Sequence, residues 1–159
     1  MTVRVQTEDF DVGAELAAMR LASKDIGALV NFVGQVRDMN DGDVVSTLTL
    51  EHYPCMTERS LESIEVEAKS RWNIVDSLII HRVGTLQPLD QIVLVAVTSA
   101  HRGEAFKACE FIMDYLKTRA PFWKKEATAD GERWVEAKIS DDDAQGRWAN
   151  AIDKSVSDK

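Results

Sequence analysis

The sequence contains little cysteine and no long apolar run. Its two cysteines, Cys55 and Cys109, lie far apart and form no Cys-x-x-Cys motif, which argues against a disulfide framework and a cysteine-rich zinc site. The longest apolar run, residues 92–97, is too short to cross a bilayer, and the initial MTVRVQTEDF segment lacks the apolar core of a secretion signal. We therefore expect a cytoplasmic protein with no membrane-spanning segment.

Glycine and proline are also scarce, at 8 and 3 of 159 residues, which excludes collagen-like and low-complexity chains. Basic residues are in the minority, because 19 Lys and Arg stand against 27 Asp and Glu, for a net charge of −8. A surface with this charge repels nucleic-acid phosphates and anionic lipids, so we expect no nucleic-acid partner and no membrane partner. An anionic ligand would need a local basic site.

One candidate for such a site follows from the charge distribution. Residues 117–125, KTRAPFWKK, contain four basic and no acidic residues. One interpretation is a solvated basic face that balances acidic neighbours, which is the usual origin of a charge run. The other is the wall of an anion-binding pocket, because Pro121, Phe122 and Trp123 interrupt the run with rigid and aromatic side chains. Composition leaves both interpretations open.

Hydrophobic periodicity predicts a chain in which strands and helices alternate. Strands are expected at residues 2–6, 25–37, 44–53, 75–83, 91–98, 122–127 and 134–138, and helices at 11–21, 54–72 and 102–119. We expect strands 25–37 and 44–53 to form a hairpin across the Asp-Gly pair of the DMNDGD segment. Strands 122–127 and 134–138 should pair across the ADGE turn. Hairpins with intervening helices indicate an α+β fold with antiparallel pairing.

The helix patterns also predict which side chains are buried. The expected buried stripes are Leu61, Ile64, Ala68 and Trp72 on helix 54–72, and Ala105, Cys109, Ile112 and Leu116 on helix 102–119. The side chains expected to face water on helix 54–72 are Glu58, Glu62, Glu65 and Lys69.

We expect residues 1–139 to form a single domain and residues 140–159 to form a polar C-terminal tail. In the tail, Trp148, Ile152 and Val156 are spaced four apart. Docking of the tail as a short helix and fraying of the tail both remain open.

The histidines point to an anion site and not to a metal site. His52, His81 and His101 show none of the spacings typical of zinc ligands, so we predict no bound metal. His101 and Arg102 open helix 102–119, and a helix N-terminus beside an arginine favours anions. A simple capping role for His101 is the alternative.

Two lysines are the best candidates for catalysis, because the sequence contains neither a nucleophile elbow nor a glycine-rich phosphate loop. Lys117 closes helix 102–119, and Lys124 follows seven residues later, beyond Pro121. Their ammonium groups could converge on one cavity. Neighbouring cations and partial burial lower the pKa of a lysine, which suits it to proton transfer near neutral pH.

Six segments of the chain carry a resemblance to a known family. They are VNFVGQVRDMN at 30–40, LTLEHYPCMTE at 48–58, IIHRVG at 79–84, VTSAHRGEAF at 97–106, FIMDYLKTRAPFWKKE at 111–126 and RWVEAK at 133–138. They lie in the family's order, and the segment at 111–126 is nearly diagnostic. By this resemblance the chain is identified as a member of the MoaE family, the large catalytic subunits of molybdopterin synthase.

The resemblance implies an α/β hammerhead fold of the α+β class. It also implies a homodimer that carries one small ubiquitin-like subunit at each end, which makes a heterotetramer. The small subunit of that family inserts a C-terminal Gly-Gly tail, activated as a thiocarboxylate, and its sulfur passes to cyclic pyranopterin monophosphate. Two such transfers form the molybdopterin dithiolene in molybdenum cofactor biosynthesis, so the resemblance implies a sulfurtransferase with no cofactor of its own.

The resemblance also assigns site residues. The family's substrate-binding positions correspond to Gln35, Val36, Arg37, His101, Arg102, Lys117, Lys124, Lys125 and Glu126, with Phe32 and Met113 in the pocket wall. Lys117 corresponds to the principal catalytic residue and Lys124 to its partner, acting by proton transfer and by stabilising oxyanion charge. Lys138 stands where some members carry arginine, which leaves its role open. The alternative function is a non-catalytic scaffold that binds the ubiquitin-like partner, and the presence of both lysines argues against it.

Overall fold

The computed structural model describes residues 1–135 and 142–148. In the first range the strands are β1 (Thr2–Gln6), β2 (Ala28–Gln35), β3 (Met39–Asn40), β4 (Asp43–His52), β5 (Ile74–Arg82), β6 (Gly84–Leu86), β7 (Gln91–Ser99), β8 (Phe122–Thr128) and β9 (Gly131–Val135). The helices there are α1 (Val12–Leu21), α2 (Met56–Arg71) and α3 (Arg102–Arg119), and residues 142–148 form a further short helix, α4. Mixed helices and largely antiparallel sheets confirm the predicted α+β class.

The first sheet has the order β1-β5-β7-β2, in which β1 is parallel to β5 and the other neighbours are antiparallel. Its central strands are apolar on both faces because helices cover both faces. The core cluster toward α2 and α3 includes Ile79, Val93, Val95 and Val97, and the cluster toward α1 includes Leu78, Ile80, Leu94 and Ala96. This sheet is therefore the middle layer of the main core.

The second sheet has the order β3-β4-β8-β9, and β6 also pairs with β4. Its small apolar core consists of Val36, Leu48, Leu50 and Leu86. Ile92 packs against both this core and the cluster under α3, so it joins the two sheets. The junction between the sheets is where the chain forms its cavities.

The predicted hairpin of strands 25–37 and 44–53 is wrong. β2 pairs with β7, and β4 pairs with β8, so the two strands lie in different sheets. The Asp-Gly pair does form a turn, but the turn joins the short β3 to β4. Asp41 and Gly42 have positive φ of 52° and 82°, as such a turn requires. The partner of β2 is β7, the apolar strand between two layers of helices. Pairing with β7 lets the apolar side chains of β2 pack against those layers.

The predictions for α1 and α3 are confirmed, and α2 spans Met56–Arg71 with Leu61, Ile64 and Ala68 buried as predicted, whereas Trp72 lies just beyond its end and is only half-buried. The Asp11 carboxylate accepts a hydrogen bond from the Ala14 N–H at 3.0 Å and caps α1. Helix α3 spans Arg102–Arg119 and buries the predicted stripe. It ends before Pro121, whose ring would block a further helical turn. β8 pairs with β9 as predicted, although β9 begins at Gly131, inside the ADGE segment, and not at residue 134.

Part of the predicted C-terminal tail docks on the helical layer. The Trp148 ring lies 5.3 Å from the Trp72 ring and 5.6 Å from the Phe111 ring, both edge-on. Its indole N–H donates to the Asp114 carboxylate at 2.6 Å. The described part of the tail is thus docked, whereas Ile152 and Val156 lie outside the described residues. The domain limits at 1–139 and 140–159 stay a prediction.

Glu65 contradicts the predicted water-facing side of α2, because it is only 1% exposed. Helical spacing places Glu65 next to Ile64 and one turn from Leu61, at the edge of the apolar stripe of α2, and α2 packs against β1 and β5. Its Oε1 atom has no hydrogen-bond partner among the described residues. Burial of the charged form raises the pKa of this carboxyl to about 7.

This carboxyl should make stability fall as pH rises from about 4.5, its ordinary pKa, to about 7. In that window the folded state holds a proton that the unfolded state has lost. We expect the free energy of unfolding of the wild type to drop between pH 5 and pH 8 by about 2 kcal/mol more than that of Glu65→Gln. Urea denaturation at both pH values measures this difference. Glu62→Gln, on the exposed side of α2, should behave like the wild type, and equal pH dependence of Glu65→Gln and wild type would contradict the assignment.

Candidate active site

Two adjoining cavities lie where the sheets meet. The first has a volume of about 330 Å³ and the second about 280 Å³. They share five lining residues, which are Gln35, Ile92, Lys117, Phe122 and Lys124. The cavities therefore form two chambers with a common boundary, and both predicted catalytic lysines lie at that boundary.

The chain reversal after α3 brings the two lysines together. Lys117 lies in the last turn of α3, and Lys124 lies on β8 after the bend at Ala120 and Pro121. Alternate residues of a strand face opposite sides, so Phe122, Lys124 and Glu126 all line the first cavity. Of the two interpretations of the basic run 117–125, the structure supports the pocket wall for Lys117 and Lys124.

Lys125 lies on the opposite side of β8, as the same alternation requires. Its ammonium group is 3.5 Å from the Glu132 carboxylate and 5.4 Å from the centre of the Trp134 ring. The structure therefore does not bring Lys125 into either cavity. Lys138 lies outside the described residues.

The end of β2 supplies a second cationic wall. Gln35, Val36 and Arg37 all line the first cavity. The Val36 backbone is fixed, because its N–H donates to the Asp90 carbonyl at 2.9 Å and its carbonyl accepts from the Leu89 N–H at 3.0 Å. The exposed Arg37 side chain forms no ion pair with any described residue. Its charge is thus available to an anion in the first cavity.

The two predicted wall residues are placed differently. Phe32 lines the second cavity and is 42% exposed. Met113 is buried in the core under α3 and belongs to neither cavity lining. Met39, which the sequence did not single out, lines the first cavity instead.

His101 and Arg102 lie at the other end of α3. The rise of an α-helix places Arg102 about 22 Å from Lys117, and both residues of the pair are exposed. The His101 imidazole makes no capping hydrogen bond, although its backbone N–H donates to the Ser99 hydroxyl at 3.3 Å. Within one chain this pair does not reach the two cavities.

Glu126 is already engaged by protein groups. It is buried, and its carboxylate accepts from the Asn40 amide and from the Arg133 guanidinium, the latter at 3.2 Å. Among the lining residues of the first cavity it is the one acidic side chain that the structure describes. Its cationic partner is Arg133, which also pairs with Asp43 at 2.7 Å.

His81 is a site residue that the sequence analysis missed. It lines the second cavity, and its ring stacks on Phe122 with 3.8 Å between ring centres and 17° between planes. Nδ1 lies 2.8 Å from the Arg82 carbonyl, so Nδ1 carries the proton and Nε2 is left as an acceptor. Burial lowers the pKa of His81 to about 3, and the charges of Lys124 and Lys117 act in the same direction. A polar residue near the end of the apolar strand SLIIHR was the available signal.

The described residues show no grouping of ligands for a metal. No three His, Cys, Asp or Glu side chains within residues 1–135 and 142–148 lie close enough together to bind one ion. Cys109 is buried, which raises the pKa of its thiol to about 12 and leaves it unreactive. None of the helices in the described ranges has both the length and the apolar character needed to cross a bilayer.

The fold and the cavities together define an α+β protein with a two-chambered cationic site. Residues 5–119 match the family described as MoaE protein. A molybdopterin synthase catalytic subunit from Ralstonia nicotianae is 60% identical over 154 residues, covering 97% of this chain and 88% of the relative. The chain belongs to the MoaE family, which confirms the resemblance drawn from the six sequence segments.

Solved structures agree with this assignment. A molybdopterin biosynthesis MoaE protein from Burkholderia ambifaria is 59% identical, with a TM-score of 0.80, and the match covers 93% of this chain and 97% of that one. A molybdopterin synthase from Staphylococcus aureus is 34% identical, with a TM-score of 0.77 and coverage of 84% and 96%. The fold thus persists where two thirds of the residues differ.

We predict that His81 stays neutral, with the proton on Nδ1, at every pH from 5 to 8, because its pKa of about 3 lies well below that range. Nitrogen-15 NMR of labelled protein distinguishes the two tautomers and the imidazolium form. The His81→Gln variant assigns the signal, since it removes one histidine only. A titration of the His81 signal with a midpoint above pH 5 would contradict the prediction.

Proposed function

We propose that this chain is the catalytic subunit of a molybdopterin synthase. It transfers sulfur from the thiocarboxylated C-terminus of a small ubiquitin-like subunit to cyclic pyranopterin monophosphate, and two transfers form the dithiolene. Family membership supports the sulfurtransferase activity, and the names of the relatives describe one subunit of a larger enzyme. The observation that carries the proposal is the meeting of two chambers at Lys117 and Lys124.

The two chambers suit two different reactants. The first contains Arg37 together with the two shared lysines, and these cations match a phosphorylated pterin. Apart from the shared residues, the second cavity is lined mainly by apolar side chains and a glycine, with His81 as its one further polar group. The apolar residues and the glycine are Phe32, Val33, Gly34, Val93, Leu116 and Ala120. Such a lining suits a slender peptide tail with few side chains. We assign the pterin to the first cavity and the Gly-Gly tail to the second.

The lysines at the boundary then lie beside the reacting atoms. In each transfer the thiocarboxylate sulfur bonds to a pterin side-chain carbon while the bond from that carbon to an oxygen breaks, and the departing oxygen takes up a proton or stays on the phosphate. Water then cleaves the bond between sulfur and the tail carbonyl, so that the tail ends in a carboxylate and the sulfur stays on the pterin. Negative charge develops on oxygen at both stages. The Lys117 ammonium stabilises that charge and donates a proton, with Lys124 as its partner. One preorganised donor of this kind contributes about a hundredfold to a thousandfold in rate.

His101 and Arg102 bind substrate only if they come from a second copy of the chain. Their distance from Lys117 of about 22 Å along α3 is too long for one substrate contact. We propose a homodimer in which the pair from one protomer completes the first cavity of its partner. Each pocket binds one small subunit, which gives a heterotetramer. Two free cysteines suit the reducing cytoplasm, where we place the reaction.

We expect Lys117→Ala to lower dithiolene formation by at least about a hundredfold, because the oxyanion loses its principal donor. The assay combines the chain with a thiocarboxylated small subunit and cyclic pyranopterin monophosphate. Folding and binding of the small subunit should not change. Lys69→Ala, an exposed lysine on α2, is the matched control and should keep full activity. Full turnover by Lys117→Ala would refute the catalytic role, and an inactive wild type would favour the scaffold alternative.

A mixture of two inactive variants tests the shared pocket. In a mixed dimer of Lys117→Ala and Arg102→Ala, one pocket receives both mutations and the other receives none. Random assortment makes about half of the dimers mixed, so about a quarter of the wild-type activity should return. A mixture of Lys117→Ala and Lys124→Ala should recover nothing, since one chain supplies both lysines. Light scattering measures the dimer directly, and a dimer without recovery would refute the contribution of His101 and Arg102 to the pocket of the partner protomer.

A further inference from the structure

A short hairpin forms one wall of the first cavity. It consists of β3, the Asp41-Gly42 turn and the start of β4, and its residues Met39, Asn40 and Val45 line the cavity. β3 contributes only two residue pairs to the sheet, Met39 with Val44 and Asn40 with Asp43. The hairpin is thus held weakly by its own pairing, and its position depends on contacts with the neighbouring strands.

Arg133 on β9 provides those contacts. Its guanidinium donates to the Asp43 carboxylate at 2.7 Å, to the Asn40 carbonyl at 3.1 Å and to the Glu126 carboxylate at 3.2 Å. The Asn40 amide donates to the second oxygen of Glu126. In the described part of the chain, these are the side-chain hydrogen bonds that join residues 39–44 to strands β8 and β9. One side chain therefore connects the hairpin to the strand that carries Lys124.

The chemistry of arginine fits this arrangement. Its planar fork reaches three acceptors at fixed angles, whereas a lysine ammonium is a point charge without that geometry. Asp43 and Glu126 together hold the pKa of Arg133 above its ordinary value. Glu126 is 5% exposed, and a buried carboxylate without a partner is unfavourable. An unbalanced carboxylate in this wall would also repel a phosphorylated substrate.

We propose that Arg133 is a positioning residue of the transfer reaction. It fixes the hairpin 39–44 against Glu126, and it is the cationic partner of the one carboxylate that the structure describes in the lining of the first cavity. This inference rests on the proposed function, because the anion that it protects is the pterin phosphate. Glu126 then acts by anchoring Asn40 and Arg133, and its carboxylate oxygens do not have to touch the substrate.

Amide hydrogen exchange tests whether Arg133 holds residues 39–44 in place, and this measurement does not depend on enzymatic activity. In Arg133→Ala we expect residues 39–44 to exchange about tenfold faster, with unchanged exchange in the first sheet. Arg133→Lys should be intermediate, and Asp43→Asn tests the same contact from the other side if Arg133→Ala folds poorly. Arg4→Ala is the matched control, since Arg4 also pairs with a carboxylate and the two arginine side chains are 40% and 37% exposed. Unchanged exchange in the hairpin of Arg133→Ala or Asp43→Asn would overturn the proposal.

Kinetics in the reconstituted reaction test whether Arg133 also supports binding of the anionic substrate. We expect Arg133→Ala to raise KM for cyclic pyranopterin monophosphate about tenfold while kcat changes by less than about threefold, because substrate binding suffers and the lysines remain. Adding Glu126→Gln to Arg133→Ala should restore much of the KM, since it removes the unbalanced charge. A KM equal to that of Arg4→Ala, or no restoration in the double variant, would overturn the electrostatic role. An inactive wild type would count against the proposed function, and hydrogen exchange would still decide whether Arg133 holds the hairpin.

Discussion

The packing of α3 against the first sheet is the contact on which the rest of the site depends. Ala105, Ala108 and Cys109 are at most 4% exposed, and Ala108 and Cys109 belong to the same core cluster as Val93, Val95 and Val97 of the sheet. Such small side chains allow the helix to approach the sheet closely. The Cys109 thiol lies 3.9 Å from the Val95 carbonyl. This contact fixes the level at which α3 ends, and the bend at Pro121 then starts β8. The positions of Lys117 and Lys124 therefore follow from apolar packing that involves neither lysine.

The cavities gain a positive field in a protein with a net charge of −8. Arg37 comes from the segment after β2, Lys117 from α3 and Lys124 from β8, and Arg133 pairs with the acidic residue among them. His81 adds an acceptor and no charge, because burial and the lysines keep its imidazole neutral. In the proposed reaction the cations would attract the anion, and the neutral polar groups would orient it. A water-filled groove with the same charges would attract the anion less, because water would screen them.

Local features of the fold were predictable from sequence, and long-range features were not. The bounds of α3 and the Asp11 cap follow from residues within a few positions of each other. The partner of β2 does not, because the Asp-Gly turn fixes only the chain around it and burial selects β7. The burial of Glu65 and the stacking of His81 on Phe122 depend on other elements as well. The charge pattern of the sequence identified Lys117 and Lys124 as candidates. The role of Arg133 could not be predicted in this way, because it depends on the register of β8 and β9, which places Arg133 opposite Glu126.

Helix α3 is continuous from Arg102 to Lys117, and apart from Gly103 in its first turn it contains no glycine or proline. In the proposed dimer α3 would connect two pockets, because its first turn would line one pocket and its last turn would line the other. The length of this one helix would then set the spacing between the two pockets, and a substitution that breaks α3 would disrupt a contact in both of them.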